Sequence, residues 1–207
     1  AINSGDFTIE LWVRFTVDEI SHPLHNKPSG SGNMGWGLQR YASSNLQGQI
    51  ILWRRDSSGW QYINYSQGTR TTISEDTWYH VAIVRNHGNG NISMYVNGSL
   101  AGTNTNATAG TVISNSSNLL LATHNGSAGF LQVDVDEIAV WNQHLGSSEI
   151  TDLYNSGVPL DAKSNSGNYT HGNNSSLVAY YKMEEGTGTT LTDLSGNGNN
   201  GTISGAA

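Results

Sequence analysis

Phe7-Thr-Ile-Glu-Leu-Trp-Val-Arg-Phe-Thr-Val17 sets Phe7, Ile9, Leu11, Val13, Phe15 and Val17 at alternate positions, with Trp12 on the other side. A period of two marks a β-strand with one face toward a core, because successive Cβ atoms point to opposite sides of the pleat. Its length predicts a central strand. Working outward, Gly35 to Tyr41, Gln49 to Arg54, Trp60 to Tyr65, Trp78 to Arg85, Asn91 to Val96, Leu119 to Ala122 and Phe130 to Trp141 predict further strands. Asn97-Gly98, between Met94-Tyr-Val96 and Ser99-Leu-Ala101, suits the positive φ angles of a type I′ hairpin turn. One short helix is expected over Ser147 to Asn155: Ser147 can cap it, Glu149 favours the N-terminal dipole, Ile150 and Leu153 share a face, and Gly157 can end it. Pro159 blocks continuation. The polar run Asp161 to Ser175 then predicts a tether to a terminal strand.

Composition agrees with this pattern. A chain of 207 residues can bury a core as one all-β domain, and its 12% charged residues and 25 glycines suit many short strands joined by turns. A formal net charge of -7, with nine Lys and Arg in all, opposes nucleic acid and anionic membranes. No apolar run reaches the roughly 20 residues that span a bilayer, and any export signal is expected to lie outside the chain. The sequence holds no cysteine, so disulfides and thiolate metal sites are excluded as stabilisers.

The strand order carries a resemblance. Phe7-Thr-Ile-Glu-Leu-Trp-Val13, Trp78-Tyr-His-Val-Ala-Ile-Val-Arg85, Met94-Tyr-Val-Asn-Gly98 and Val135-Asp-Glu-Ile-Ala-Val-Trp-Asn142, followed by Leu145 and Ser148-Glu-Ile150, resemble successive signatures of laminin-G-like domains of the concanavalin A-like lectin and glucanase group. The resemblance implies an all-β jelly-roll sandwich of two antiparallel sheets with one short helix near the C-terminal third, as a single domain over 1–207. In that family a segment like Leu177-Val-Ala-Tyr-Tyr-Lys-Met-Glu-Glu-Gly-Thr-Gly188, with Asp193-Leu-Ser-Gly-Asn-Gly-Asn199, precedes the strand equivalent to Phe7 to Val17. Here it follows the helix. Residues 176–207 are therefore expected to act as a permuted strand and loop that close their own sheet, or as a strand donated to a neighbouring copy.

The acidic residues suggest a hard cation. Glu184, Glu185, Asp193, Asn197 and Asn199 offer carboxylate and amide oxygens, and the intervening glycines let a loop turn its carbonyls inward, as calcium coordination requires. The resemblance implies a calcium joining such a loop to Asp136 on the Asp-Glu-Ile strand. Asp193 and the Asn-Gly pairs also read as ordinary turn residues. Catalysis is not expected. Retaining glucanases of this group need a Glu at each end of their catalytic strand, whereas Asp134-Val-Asp136-Glu137 starts with Asp and lacks the last Glu. No Gly-x-Ser-x-Gly elbow appears. His22 and His25 fall in a segment with Pro23 and Pro28, predicting a loop rather than a zinc site.

Aromatic rings stack on sugar faces, and Trp36, Trp60 and Tyr62 are the candidate exposed ligand-binding residues, while Trp12, Trp53 and Trp78 are expected in the core. These observations lead to three functional expectations. The first is a non-catalytic adhesion or assembly module at the cell or virion surface or outside the cell, with a glycan or surface protein as partner and calcium as a structural clamp. The second, an alternative to it, is a filament subunit self-associating through Leu177 to Met183, and the third, which the acidic run does not favour, is a glycoside hydrolase.

Overall fold

The computed structural model describes residues 5–17, 21–26, 35–41, 48–56, 59–63, 71–105, 118–122, 131–172 and 175–205. Among the described residues thirteen strands, β1 (Phe7–Phe15), β2 (Ser21–Asn26), β3 (Gly35–Tyr41), β4 (Gln49–Asp56), β5 (Gly59–Ile63), β6 (Trp78–Asn86), β7 (Asn91–Val96), β8 (Ser99–Asn104), β9 (Leu120–Leu121), β10 (Val133–Trp141), β11 (Leu177–Tyr181), β12 (Thr190–Leu191) and β13 (Gly201–Thr202), accompany helix α1 (Ser147–Tyr154). A six-stranded antiparallel sheet runs β11-β10-β1-β6-β7-β8, and a five-stranded one runs β5-β4-β3-β2-β9. Their facing sides make the jelly-roll sandwich that the resemblance implies.

The alternation of β1 is visible in its packing. Phe7, Ile9, Leu11, Val13 and Phe15 enter the inter-sheet core with Leu24, Trp36, Leu38, Ile50, Leu52, Val81, Ile83, Ile92 and Ile138. The other face of β1 is also closed: Thr8, Glu10 and Trp12 are buried. There a second cluster joins Ala82, Val84, Ala139 and Trp141 to Ile150 and Leu153 of α1 and to Ala162 and Tyr169. The polar run expected as a tether is thus a packed cover over residues 161–172. Trp141 Nε1 donates to the Tyr169 hydroxyl at 3.2 Å, that hydroxyl donates to the Ala162 carbonyl, and Asn168 N–H donates to Asp152 on α1.

Local chemistry explains the turns and the departures from expectation. Asn97 (φ 49°) and Gly98 (φ 72°) form the predicted β7–β8 turn, and Thr151 Oγ1 donates to the Gly98 carbonyl, seating α1 on the hairpin. Gly146, not Ser147, is the N-cap of α1, with its N–H donating to Glu149 at 2.7 Å, and the helix ends at Asn155 in the left-handed region (φ 48°) ahead of Gly157. His22 and His25 lie on a strand, β2, rather than on a loop. Pro23, which has no N–H for a ladder, sits where the β2–β3 register shifts, while its carbonyl accepts from Ala122 N–H at 3.0 Å.

Candidate functional site

The six expected metal ligands occupy three places. Asp136 lies on β10 at a bulge: Glu10 pairs with Ala139 but Trp12 with Asp136, and Glu137 takes a left-handed conformation (φ 48°) while its N–H donates to Asp136 Oδ1 at 2.9 Å. The bulge lets Glu137 accept a hydrogen bond from the Tyr180 hydroxyl. Burial raises the Asp136 carboxyl above its usual range, and the like charge of Glu184 adds to it. Glu137 is raised too, by burial first. Lys182, 3.0 Å from Asp161, supplies the opposing positive charge. Glu185 stands apart, accepting from Thr192 N–H at 2.8 Å.

Asp193, Asn197 and Asn199 form the third group, along the outer edge of β11. Asp193 Oδ1 accepts from the N–H groups of Tyr180 (3.0 Å) and Ser195 (2.9 Å), and Oδ2 accepts from that of Asn199 (2.8 Å). Burial pushes this carboxyl up, yet the hydrogen bonds from Ser195, Asn199 and Tyr180 outweigh it and hold it below the usual range. Asn197 Nδ2 donates to the carbonyls of Leu177 and Val178, and Asn199 Nδ2 and Ser195 Oγ also donate to Val178. The loop therefore satisfies the free edge of the strand, and its carboxylate is surrounded by donors. Three peptide N–H groups thus occupy the Asp193 oxygens that were expected for a cation, and among the described residues no three His, Cys, Asp or Glu side chains gather as a metal-holding group.

The expected ligand-binding aromatics also separate. Trp36 is a correction: at 3% exposure it packs against Phe7, ring centroids 6.1 Å apart, because it shares the inward face of β3 with Leu38. The Trp60 side chain lies outside the described residues. Tyr62 remains 37% exposed on β5. Its cross-strand partner is Trp53, which pairs with Gly37, which pairs with His25, so these positions form a row on the face of the five-stranded sheet turned away from the core. Gly37 is required there, since a Cβ would stand 2.6 Å from the Trp53 ring and 2.8 Å from His25 Cβ. Trp53 and His25 are buried, as are Gln39 and Gln49 on the same face, leaving Tyr62 as the exposed end of the row.

Sequence reasoning missed Trp78. Expected in the core, it is 38% exposed, because it shares the outward parity of His80 and Ala82 while Tyr79, Val81 and Ile83 turn inward. Arg14 stands opposite it on β1 and Asp134 opposite Arg14 on β10. The guanidinium lies 5.4 Å from the Trp78 ring centroid, with Nε 2.7 Å and one terminal nitrogen 2.6 Å from Asp134 Oδ2. The even-numbered series Thr8, Glu10, Trp12, Arg14 on β1 was the available signal: its charged end marks where the covered face becomes open.

Over residues 1–151 the sequence matches the laminin G family described as the concanavalin A-like lectin/glucanases superfamily. The chain belongs to that superfamily. The matched span holds both sheets except β11, which follows it with the loop that seals its edge. No curated protein matches the chain. Solved structures of lectin-like jelly rolls resemble it at low identity. A candidate carbohydrate-binding protein from Bacteroides ovatus is 15% identical with TM-score 0.63, covering 98% of this chain and 53% of its own. A native heptameric SAP-like pentraxin from Limulus polyphemus is 18% identical with TM-score 0.53, over 73% of this chain and 70% of its own. Domain 4 of AbnA, an extracellular arabinanase from Geobacillus stearothermophilus solved with arabinotriose, is 21% identical with TM-score 0.53, over 73% of this chain and 67% of its own. The chain spans about half the length of the Bacteroides protein. At such identities the likeness establishes the fold, which this superfamily member shares.

Proposed function

We propose that the chain is a non-catalytic glycan-binding module of a protein that works at a surface or outside the cell. The observation that carries the reading is Tyr62, a ring kept 37% exposed at the end of the Tyr62-Trp53-Gly37-His25 row, on the outer face of the five-stranded sheet. An aromatic ring at the open end of a sheet offers the flat apolar surface that the C–H face of a sugar requires. The superfamily supports the reading, as does the arabinotriose bound to the arabinanase domain of like fold. Asp134, first of the acidic run that raised hydrolysis, is tied to Arg14, which suits a binding module better than an acid or a nucleophile. Among the described residues no helix is long and apolar enough to cross a membrane.

Isothermal titration of the chain against arabinotriose, cellotetraose and 3′-sialyllactose tests this. At least one is expected to bind, and Tyr62→Ala to weaken it about tenfold, the equivalent of roughly 1.4 kcal/mol of lost stacking, while leaving the melting temperature within about 2 °C. Failure of every saccharide to bind the unaltered chain overturns the proposal.

A further inference from the structure

The row Trp78, Arg14, Asp134 lies on the other sheet from Tyr62. We propose that it is a second saccharide site, specific for an uncharged pyranose with equatorial hydroxyls. This inference rests on reading the chain as a glycan-binding module.

The three side chains belong to neighbouring strands in direct register, β6, β1 and β10, so they span two strand spacings, about 10 Å. All three are open: Trp78 is 38% exposed, and the side chains of Arg14 and Asp134 are 38% and 42% exposed. In the next row on this face His80 and Trp12 are roofed by α1, where Tyr154 stacks on Trp12 at 5.9 Å and lies 6.0 Å from His80. The open row is therefore a shelf that begins where the helix ends.

Its chemistry selects the ligand. A pyranose whose hydroxyls are equatorial presents a face of C–H bonds, and an indole matches it. The guanidinium lies over the Trp78 ring, and the part of the indole that stays exposed is where the sugar would stack. Both hydrogen bonds of the ion pair end on Asp134 Oδ2, so Oδ1 and the second terminal nitrogen of Arg14 remain an acceptor and a donor for adjacent hydroxyls. The pair holds these groups in place before the ligand arrives, which reduces the entropy lost on binding. Arg14 and Asp134 cancel in charge, so the row offers no net positive charge to an anion. A carboxylated sugar is disfavoured accordingly. A solvent-exposed ion pair alone stabilises a fold by only about 0 to 1 kcal/mol, so its loss affects binding more than folding.

The test uses the whole chain, with cellotetraose, xylotetraose and β-1,4-galactotetraose as uncharged probes and 3′-sialyllactose as the acidic one. Titrations of the unaltered chain, Tyr62→Ala, Trp78→Ala and Asp134→Asn are followed together with the indole N–H resonances. For at least one uncharged probe, Trp78→Ala is expected to abolish one binding event and Asp134→Asn to weaken it at least tenfold, with that event intact in Tyr62→Ala and the Trp78 indole signal shifting on titration. If Tyr62→Ala alone weakens binding, the module reading stands and the second site falls. Should the acidic probe bind this row more tightly than every uncharged one, the assigned specificity falls. Silence from every probe overturns the second site, and the module reading falls with it when arabinotriose is silent too. Asp134→Asn keeps size and strand register, so it decides the matter even if Trp78→Ala folds poorly.

Discussion

Asp193→Ala separates a hydrogen-bonded clamp from a cation-held one. In the native chain one carboxylate takes the peptide N–H groups of Tyr180, Ser195 and Asn199. Tyr180 is buried on β11, so its N–H loses a partner that water replaces poorly, at about 1 to 3 kcal/mol. Ser195 and Asn199 are more open, and each bond there contributes about 0.5 to 1 kcal/mol. The sum, about 3 kcal/mol, corresponds to a fall of roughly 6 to 12 °C in melting temperature for a chain of this size. Asp193→Asn, which keeps one acceptor oxygen, should lose about half as much. Circular dichroism melts at neutral pH, with added calcium and with chelator, read both quantities. The unaltered chain is expected to melt at the same temperature in either buffer, since N–H groups already surround the carboxylate. A wild-type drop on chelation as large as the loss in Asp193→Ala would refute the reasoning, as would a variant within about 0.5 kcal/mol of wild type. The pH dependence follows from the lowered carboxyl. Its stabilisation is complete above the unfolded value near 3.9 and is lost as pH falls through the folded one. Asp193→Ala should therefore flatten the acid limb of the stability profile.

Three further outcomes are expected. Trp36→Ala empties a core position against Phe7 and should destabilise by about 3 to 5 kcal/mol in denaturant titration, with saccharide affinity unchanged in the folded fraction; lost affinity with intact stability would return Trp36 to the surface. Gly37→Ala pushes a Cβ into the Trp53 ring, and a loss of about 1 to 3 kcal/mol is expected by the same measurement, whereas a stabilised variant would show that the indole moves freely. Glu10 is buried, which raises its carboxyl despite the 2.9 Å bond to His80 Nε2, so its contribution to stability falls as pH rises from about 4.3 through its folded value. Glu10→Gln should remove that slope, and denaturant titrations from about pH 4 to about pH 8 with an unchanged slope would contradict it.

The parts legible in the sequence depend on neighbours along the chain. Asn97-Gly98 turns where expected because the φ angles of a two-residue hairpin are a local demand. The inward face of β1 was equally plain from its period. Which outward faces are covered was not, because Thr8, Glu10 and Trp12 are roofed by residues more than 130 positions away: Leu145 N–H donates to Thr8 Oγ1, and Tyr154 stacks on Trp12. The same limit exchanged the two tryptophans. Trp36 was grouped with aromatics near it in sequence, yet its parity on β3 sends it inward, while Trp78 shares a motif with core residues but faces out beyond the end of α1. β2 escaped notice because Pro23 argues against a strand, and the register shift that accommodates it is a property of the pair rather than of either strand. Asp193 illustrates an ambiguity of chemistry: the same oxygens serve a cation or peptide N–H groups, and only the position of Tyr180 distinguishes them.

The sealed edge also constrains assembly. β11 pairs with β10 of its own chain on one side, and on the other its Val178 carbonyl receives Ser195, Asn197 and Asn199 while Tyr180 bonds with Asp193 and Leu194. A strand from another copy cannot pair along that outer edge without displacing these groups. Self-association through Leu177 to Met183 must instead exchange β11 together with its loop, each copy rebuilding on a neighbour's β10 the contacts shown here. The connection limits such an exchange. Tyr169 is fully buried in its own domain, and the chain from Tyr169 to Leu177 reaches at most about 28 Å when extended. An exchanged strand thus requires either a neighbour whose β10 lies within that distance or release of Tyr169 from beneath α1, at about 3 kcal/mol or more. Strand exchange therefore needs either close-packed copies or that release, and without one of them β11 stays paired with its own β10.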